Sequence, residues 1–293
     1  YDSRDIFISR DGQWHLHGVP MHAERALRGV DVVFNAMHGE YGEDGTVQQL
    51  LDSLAIAYTG SNARSSAVAF NKQRTRQAVA ALGVKIVHGK VVDSSRSVEE
   101  LAHELFRSFP HPAIIKPVTG GSSVGTALAE NFHALQWALE RAFEISPKVL
   151  IEEYIKGREA TVGVVDNFRG ERTYVLMPVE IVPPPSSPFF DYEAKYSGQT
   201  LERVPGHFTD QEKNILSAAA RAVHEGLGLA HYSRSDFIVS PRGIYFLEVN
   251  TLPGLTEESL LPKALEAGGT KLSRFLDHIL SLARGKSRHV QVS

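Results

Sequence analysis

Arg234-Ser-Asp-Phe-Ile-Val-Ser-Pro-Arg-Gly-Ile-Tyr-Phe-Leu-Glu-Val-Asn250 is the stretch on which the reading of this chain turns. Two β-rich runs flank Pro241-Arg242-Gly243, which suits a three-residue hairpin loop with Pro at the first turn position and Gly taking a left-handed φ. Such a loop sets Ser240 against Ile244, Asp236 against Glu248 and Arg234 against Asn250. Because side chains alternate along a strand, one face is expected to carry Arg234, Asp236, Ile238, Glu248 and Asn250. The other carries Phe237, Val239, Tyr245, Leu247 and Val249 and covers a core. Directly opposed positions lie roughly 5 Å apart. Two carboxylates that close repel unless one is protonated or a cation neutralises them. All-oxygen donors of this kind suit Mg²⁺ or Mn²⁺ with positions left open for phosphate. A solvated sheet face whose charges happen to align is the other reading, and spacing alone leaves both open.

Upstream, Ala113-Ile-Ile-Lys-Pro-Val reads as a strand, followed by the glycine and serine loop Thr119–Gly125. Glycines let backbone N–H groups approach an anion, and Lys116 stands just before the loop; a plain flexible turn fits equally. Val149-Leu-Ile-Glu-Glu-Tyr-Ile runs an apolar strand into Glu152 and Glu153, with Glu159 beyond. Acids at a strand end are ordinarily solvated, but they also suit an adenine amino group and ribose hydroxyls. Lys72 falls in an expected helix over 65–82 that Gly83 ends. Residues 183–207 form a Pro- and aromatic-rich loop, a length that marks lids and binding loops.

Toward the amino end, Val30–Met37 has the apolar run of a strand buried on both faces of a parallel sheet, and Ile56–Gly60 is the next short strand. The loop His38-Gly-Glu-Tyr-Gly-Glu-Asp-Gly45 between them leads into a helix, the edge where α/β sheets bind ligands. Glu43 and Asp44 read equally well as caps of that helix. Asp5–Leu16 reads as a hairpin turning at Arg10-Asp11-Gly12. Further strands are expected at 84–92, 161–165 and 173–181, and helices at 97–107, 131–145 and, from the capping box Thr209-Asp-Gln-Glu212, to about Glu225. Three units fit: 1–64, 65–151 and 152–293.

Composition narrows the class. The chain has 293 residues, too many for one ordinary core, and 31 basic against 34 acidic side chains, too balanced for a nucleic-acid coat. No apolar run approaches the roughly 18 residues of a membrane span. The absence of cysteine excludes disulfides, thiolate metal sites and thiol nucleophiles, and suits a reducing compartment.

Seven runs together resemble the D-alanine–D-alanine ligases of the ATP-grasp superfamily, in that family's order and over residues 30–283. They are His38–Gly45, Tyr58-Thr-Gly-Ser, Ile115-Lys-Pro, Gly121-Ser-Ser-Val-Gly, Leu150-Ile-Glu-Glu, Tyr192-Glu-Ala-Lys-Tyr and Glu248-Val-Asn-Thr-Leu-Pro-Gly-Leu-Thr. The resemblance implies an α/β ATP-grasp fold of three domains: an N-terminal doubly wound parallel-sheet domain and two ATP-grasp subdomains. It implies ligation of two D-alanine molecules, driven by ATP through an acyl phosphate, for peptidoglycan synthesis in the bacterial cytoplasm.

By the same resemblance, Lys72 and Lys116 are the nucleotide-phosphate lysines, Glu152, Glu153, Tyr154 and Ile155 the adenine hinge, and Glu159 the ribose acid. Asp236, Glu248 and Asn250 hold two Mg²⁺ or Mn²⁺ ions, and Arg234 stabilises the transferring phosphoryl group. Ser122 and Tyr196 pair to close the lid, with Lys195 near the phosphates, while His38, Ser259 and Leu260 hold substrate. No nucleic-acid or membrane partner is implied, and a homodimer is left open.

An acid that holds the first substrate's amino group in the family has no counterpart here, and Tyr1 suggests that residues before it are missing. Two alternatives are a ligase for another acceptor such as D-lactate, against which Glu193-Ala-Lys-Tyr196 argues, and a nucleotide-binding homologue without catalysis.

Overall fold

The computed structural model describes residues 1–120, 124–184 and 200–286. Ser122, Lys195 and Tyr196 lie outside them, as does most of the expected lid. No described helix is long and apolar enough to cross a membrane.

The amino-terminal part opens with an antiparallel sheet of β1 (Ile6–Ile8), β2 (Trp14–Leu16) and β3 (Val19–Met21), followed by α1 (Ala23–Ala26). The first hairpin turns at Arg10–Gly12 as expected, with Gly12 at φ 81°. Next come β4 (Val32–Val33), α2 (Thr46–Ser53) and β5 (Ala57–Tyr58). β4 and β5 pair in parallel. The expected long buried strand at 30–37 is thus a correction: β4 is two residues long and half-buried, with β5 as its one described strand neighbour.

The expected single helix over 65–82 is two, α3 (Ala63–Phe70) and α4 (Lys72–Ala81). Asn71 ends one and starts the other: its backbone is extended at φ −95°, ψ 104°, and its side chain accepts the Arg74 N–H. An Asn side chain that can satisfy a free helical N–H competes with continuing the helix. The break sets Lys72 at the first turn of α4, where its own N–H donates to the Val118 carbonyl at 2.9 Å.

A four-stranded antiparallel sheet follows, in the order β6-β9-β7-β8, from β6 (Gly89–Asp93), β7 (Ala113–Pro117), β8 (Ala127–Ala129) and β9 (Lys148–Glu153). Two amphipathic helices, α5 (Val98–Ser108) and α6 (Phe132–Ile145), cover one face. Ala113, Ile115, Val149 and Ile151 point into that core. Alternation therefore turns Ile114, Lys116 and Glu152 to the opposite face. The strand expected from residue 84 starts at Gly89; residues 84–88 instead bridge the two large sheets, with Ile86 beside Phe246 and the Phe246 N–H donating to the Lys85 carbonyl at 2.8 Å.

The second large sheet runs β13-β12-β10-β14-β15, with β11 also on β10. Its strands are β10 (Arg158–Phe168), β11 (Glu171–Val175), β12 (Val179–Val182), β13 (Leu201–Arg203), β14 (Tyr232–Ser240) and β15 (Gly243–Asn250). The run expected as one strand over 173–181 is two, separated by residues 176–178. Pro178 there has no N–H to give a ladder. Helix α7 (Asp210–Gly226) opens with the expected capping box and packs Leu216, Ala220 and Val223 onto one face. Helices α8 (Leu260–Ala267) and α9 (Leu272–Lys286) pack onto the other cluster of this sheet.

Candidate active site

The β14–β15 hairpin differs from its expected register in an instructive way. Ser240 pairs with Gly243, not Ile244, so the loop is the two residues Pro241 and Arg242. Val239 then faces Ile244 and Phe237 faces Phe246, one residue off the expected pairing, until a β-bulge between Asp236 and Phe237 restores it. Beyond the bulge Asp236 opposes Glu248 and Arg234 opposes Asn250, as expected.

The bulge also corrects the faces: Phe246 and Val249 enter the core, whereas Tyr245 and Leu247 lie on the opposite side with Ile238. A bulged strand can aim two successive residues the same way. Here Leu247 and Glu248 both line a cleft.

That cleft lies between the two large sheets. Lys72, Ile114, Lys116, Glu152, Glu153, Tyr154, Ile155 and Glu159 line it together with Asp236, Ile238, Leu247 and Glu248. Val87, Ile155, Ile238 and Leu247 supply an apolar patch at one part of it. A second, smaller cavity shares Lys72 and Glu248 and adds Glu43, Gly120 and Asn250.

On the wall formed by the four-stranded sheet, Lys116 and Glu152 form a buried ion pair, and Glu152 also pairs with Arg76. Lys72 Nζ donates to the Gly120 carbonyl at 2.9 Å. Glu153 is turned toward Arg242 of the β14–β15 turn, and this guanidinium holds its carboxyl below the usual range. The backbone N–H groups of Glu153 and Tyr154 donate to the carbonyls of His88 and Pro112, each at 2.9 Å.

On the facing wall, Arg234 grips Asp236 with both ends of its fork, Nε to Oδ1 at 3.0 Å and Nη2 to Oδ2 at 2.9 Å. Thr161, directly across from Asp236 on β10, donates to Oδ1 at 2.5 Å, and Asn250 Nδ2 approaches Oδ2 at 3.4 Å. Burial works against the Arg234 charge, but Asp236, Glu248 and Glu43 outweigh it and raise its pKa above the ordinary value. Asp236, Glu248 and Asn250 offer two carboxylates and an amide oxygen, a donor set that fits Mg²⁺ or Mn²⁺. Among the described residues no three His, Cys, Asp or Glu side chains gather around a common point, so the amide belongs to any such set.

Glu43 is the residue whose importance the sequence understated. Asp44, not Glu43, tends the start of α2, accepting the Thr46 N–H at 2.8 Å. Glu43 turns inward, accepts the Gly39 N–H at 2.6 Å, and lines the smaller cavity with Glu248. Burial pushes its pKa up and Glu248 adds to this, against the Gly39 N–H, His38 and Arg234. His38 itself is exposed.

Ser259 precedes α8 and bonds through its hydroxyl to that of Thr256 at 2.8 Å; Leu260 opens the helix with its side chain buried. Neither lines the main cleft. Arg76 and Thr161 were not singled out from sequence, yet each sits at a fixed offset from a residue that was. Arg76 is four after Lys72 on one helix, and Thr161 two after Glu159 on one strand.

Two family models cover the chain: D-ala D-ala ligase N-terminus over residues 1–61 and D-ala D-ala ligase C-terminus over residues 79–281. A D-alanine–D-alanine ligase of Geobacter sulfurreducens is 40% identical over 260 residues, which are 88% of this chain and 78% of that protein. The crystal structure of D-alanine–D-alanine ligase from Bacillus anthracis superposes with a TM-score of 0.76 at 33% identity, covering 91% of this chain and 84% of that one. The same Bacillus anthracis enzyme complexed with ATP superposes with a TM-score of 0.72 at 32% identity, covering 88% and 80%. With its ATP-grasp architecture and a cleft whose facing walls carry opposite charges, the chain belongs to the D-alanine–D-alanine ligase family.

Proposed function

We propose that this chain joins two D-alanine molecules into D-alanyl-D-alanine, driven by ATP, to supply peptidoglycan synthesis. The observation that carries the reading is the convergence of Lys72, Lys116, Asp236 and Glu248 on one cleft. An ATP triphosphate needs both kinds of group: ammonium ions that meet phosphate directly and carboxylates that meet it through a divalent cation. The apolar patch of Val87, Ile155, Ile238 and Leu247 suits a flat base, with Glu152–Ile155 as the hinge beside it; Glu159 lines the same cleft and suits the ribose hydroxyls.

Asp236, Glu248 and Asn250 would hold the Mg²⁺ or Mn²⁺ ions, which neutralise phosphoryl charge when bound. Arg234, locked by its two bonds to Asp236, presents a fixed positive charge where negative charge develops as a D-alanine carboxylate takes the γ-phosphoryl group. The amine of the second D-alanine then displaces phosphate from the acyl phosphate. Glu43 lies within electrostatic reach of His38 at the proposed substrate end, and the N–H groups at the start of α8, beside Ser259 and Leu260, suit a substrate carboxylate.

The test is phosphate release from ATP by the purified protein. It should require both a divalent cation and D-alanine and yield the dipeptide. Equal turnover with L-alanine, or none with any amino acid, would sink the reading.

A further inference from the structure

Lys116 and Glu152 are diagonal neighbours on adjacent strands of the four-stranded wall, Lys116 opposite Leu150 and Glu152 opposite Ile114, and both are buried. Alone, the pair sums to zero formal charge and offers an anion little. A third buried group changes that sum. Arg76, one turn along α4 from Lys72, donates through Nη1 to Glu152 Oε1 and through Nη2 to the Val87 carbonyl at 2.5 Å. Gly89 leaves room here: a Cβ would stand 2.8 Å from the Ile151 carbonyl oxygen, 3.0 Å from Arg76 Nη2 and 3.1 Å from Glu152 Cγ. The two oxygens of Glu152 are thereby divided, Oε1 to Arg76 and Oε2 to Lys116. Arg76 does not line the cleft, whereas Lys116 does.

We infer that Arg76 is a positioning residue for nucleotide binding: it fixes the carboxylate that steers Lys116 and leaves the trio one positive charge in surplus, presented to the triphosphate by Lys116. The inference rests on the reading of the cleft as the ATP site. In a buried setting a unit of uncompensated charge acts over several ångströms with little screening, so this surplus is felt by a phosphate that never touches Arg76.

Calorimetric titration with ATP and Mg²⁺, without D-alanine, separates the two ideas. A wild-type chain that binds no nucleotide removes the reading of the cleft, and the inference with it. Given wild-type binding, Arg76→Met should weaken ATP at least tenfold and raise the KM for ATP in parallel, with kcat at saturating ATP changed less than threefold. Arg76→Lys, which keeps the charge, should bind within threefold of wild type. The decisive readout is adenosine, which lacks the phosphates: it should bind Arg76→Met within threefold of wild type while ATP with Mg²⁺ is weakened tenfold. A merely structural role, in which the cleft itself is disturbed, predicts that adenosine and ATP lose affinity together. The inference is overturned by wild-type ATP affinity in Arg76→Met or by an equal loss for adenosine and ATP. Should Arg76→Met not fold, Arg76→Gln, which removes the charge and keeps a donor toward Glu152, carries the same comparison.

Discussion

The two walls of the cleft carry opposite charge and arrive at it by the same device. On the four-stranded wall a buried carboxylate, Glu152, is shared by two cations, Arg76 and Lys116. On the six-stranded wall a half-buried guanidinium, Arg234, is shared among the acids Asp236, Glu248 and Glu43. In both cases one group of the minority sign holds the majority groups together while leaving them in surplus. Clustered like charges repel, and a single opposite charge among them lets a protein concentrate one sign at a site without the cluster flying apart or neutralising itself. The walls differ in what they demand of a ligand: the cationic one can meet phosphate directly, while the anionic one meets it only through a metal.

Substitutions on the anionic wall should therefore have the largest effects. Glu248→Gln keeps the shape and removes one of the facing carboxylates; turnover should fall about a thousandfold or more, roughly 4 kcal/mol of barrier, with the thermal midpoint within a few degrees of wild type. Measurable turnover near the wild-type rate would place the metal elsewhere and break the comparison.

A smaller effect is expected where neither charge is involved. Leu247→Ala thins the apolar patch between the walls, and the KM for ATP should rise about tenfold, the equivalent of about 1.4 kcal/mol, at nearly unchanged kcat. An equal fall in kcat would instead make Leu247 part of the positioning of the phosphates.

Smallest should be the effect of a buried polar cluster that shows no surplus at a cleft. Asp166 accepts from the His231 N–H at 2.7 Å and bonds His224 Nε2 at 3.0 Å, while His224 Nδ1 meets the Ser233 hydroxyl at 2.7 Å. Burial opposes the Asp166 charge, but His224 and the His231 N–H outweigh it and lower its pKa below the ordinary carboxylate value. A carboxylate held below its unfolded pKa contributes stability that is present above the ordinary range and lost as pH falls through its lowered folded value. Asp166→Asn should cost about 1 kcal/mol at neutral pH, discounted for partial exposure, and the difference from wild type should shrink below about pH 4. Denaturant unfolding at several pH values checks this, and catalysis at neutral pH should be untouched.

Much of this arrangement was legible in the chain itself. The runs Ala113–Val118 and Val149–Glu153 read as strands, and β7 and β9 form there. The capping box at Thr209–Glu212 marks the start of α7 to the residue. What escaped has a common cause, a competition decided by neighbours distant in sequence. Asn71 breaks a helix whose apolar pattern runs on, and Glu43, an acid at a helix start by sequence, is drawn inward beside a strand some 200 residues away.

The sequence by itself determined which residues the β14–β15 pairing brings to the corner proposed to bind metal: the order of acids, amide and arginine along two strands is a local property, and alternation is fixed by backbone geometry. It did not determine how that pairing is reached. The tight two-residue turn shifts the ladder by one, and the bulge corrects it, so that Phe246 packs on Phe237 in the core with ring centroids 5.9 Å apart while Leu247 and Glu248 face the cleft together. Burying that aromatic side chain is worth about 2–3 kcal/mol, but the gain exists only when the sheet, α7 and the bridging segment at 84–88 close around it. Periodicity along one strand carries no information about which of two adjacent registers the rest of the molecule will fill.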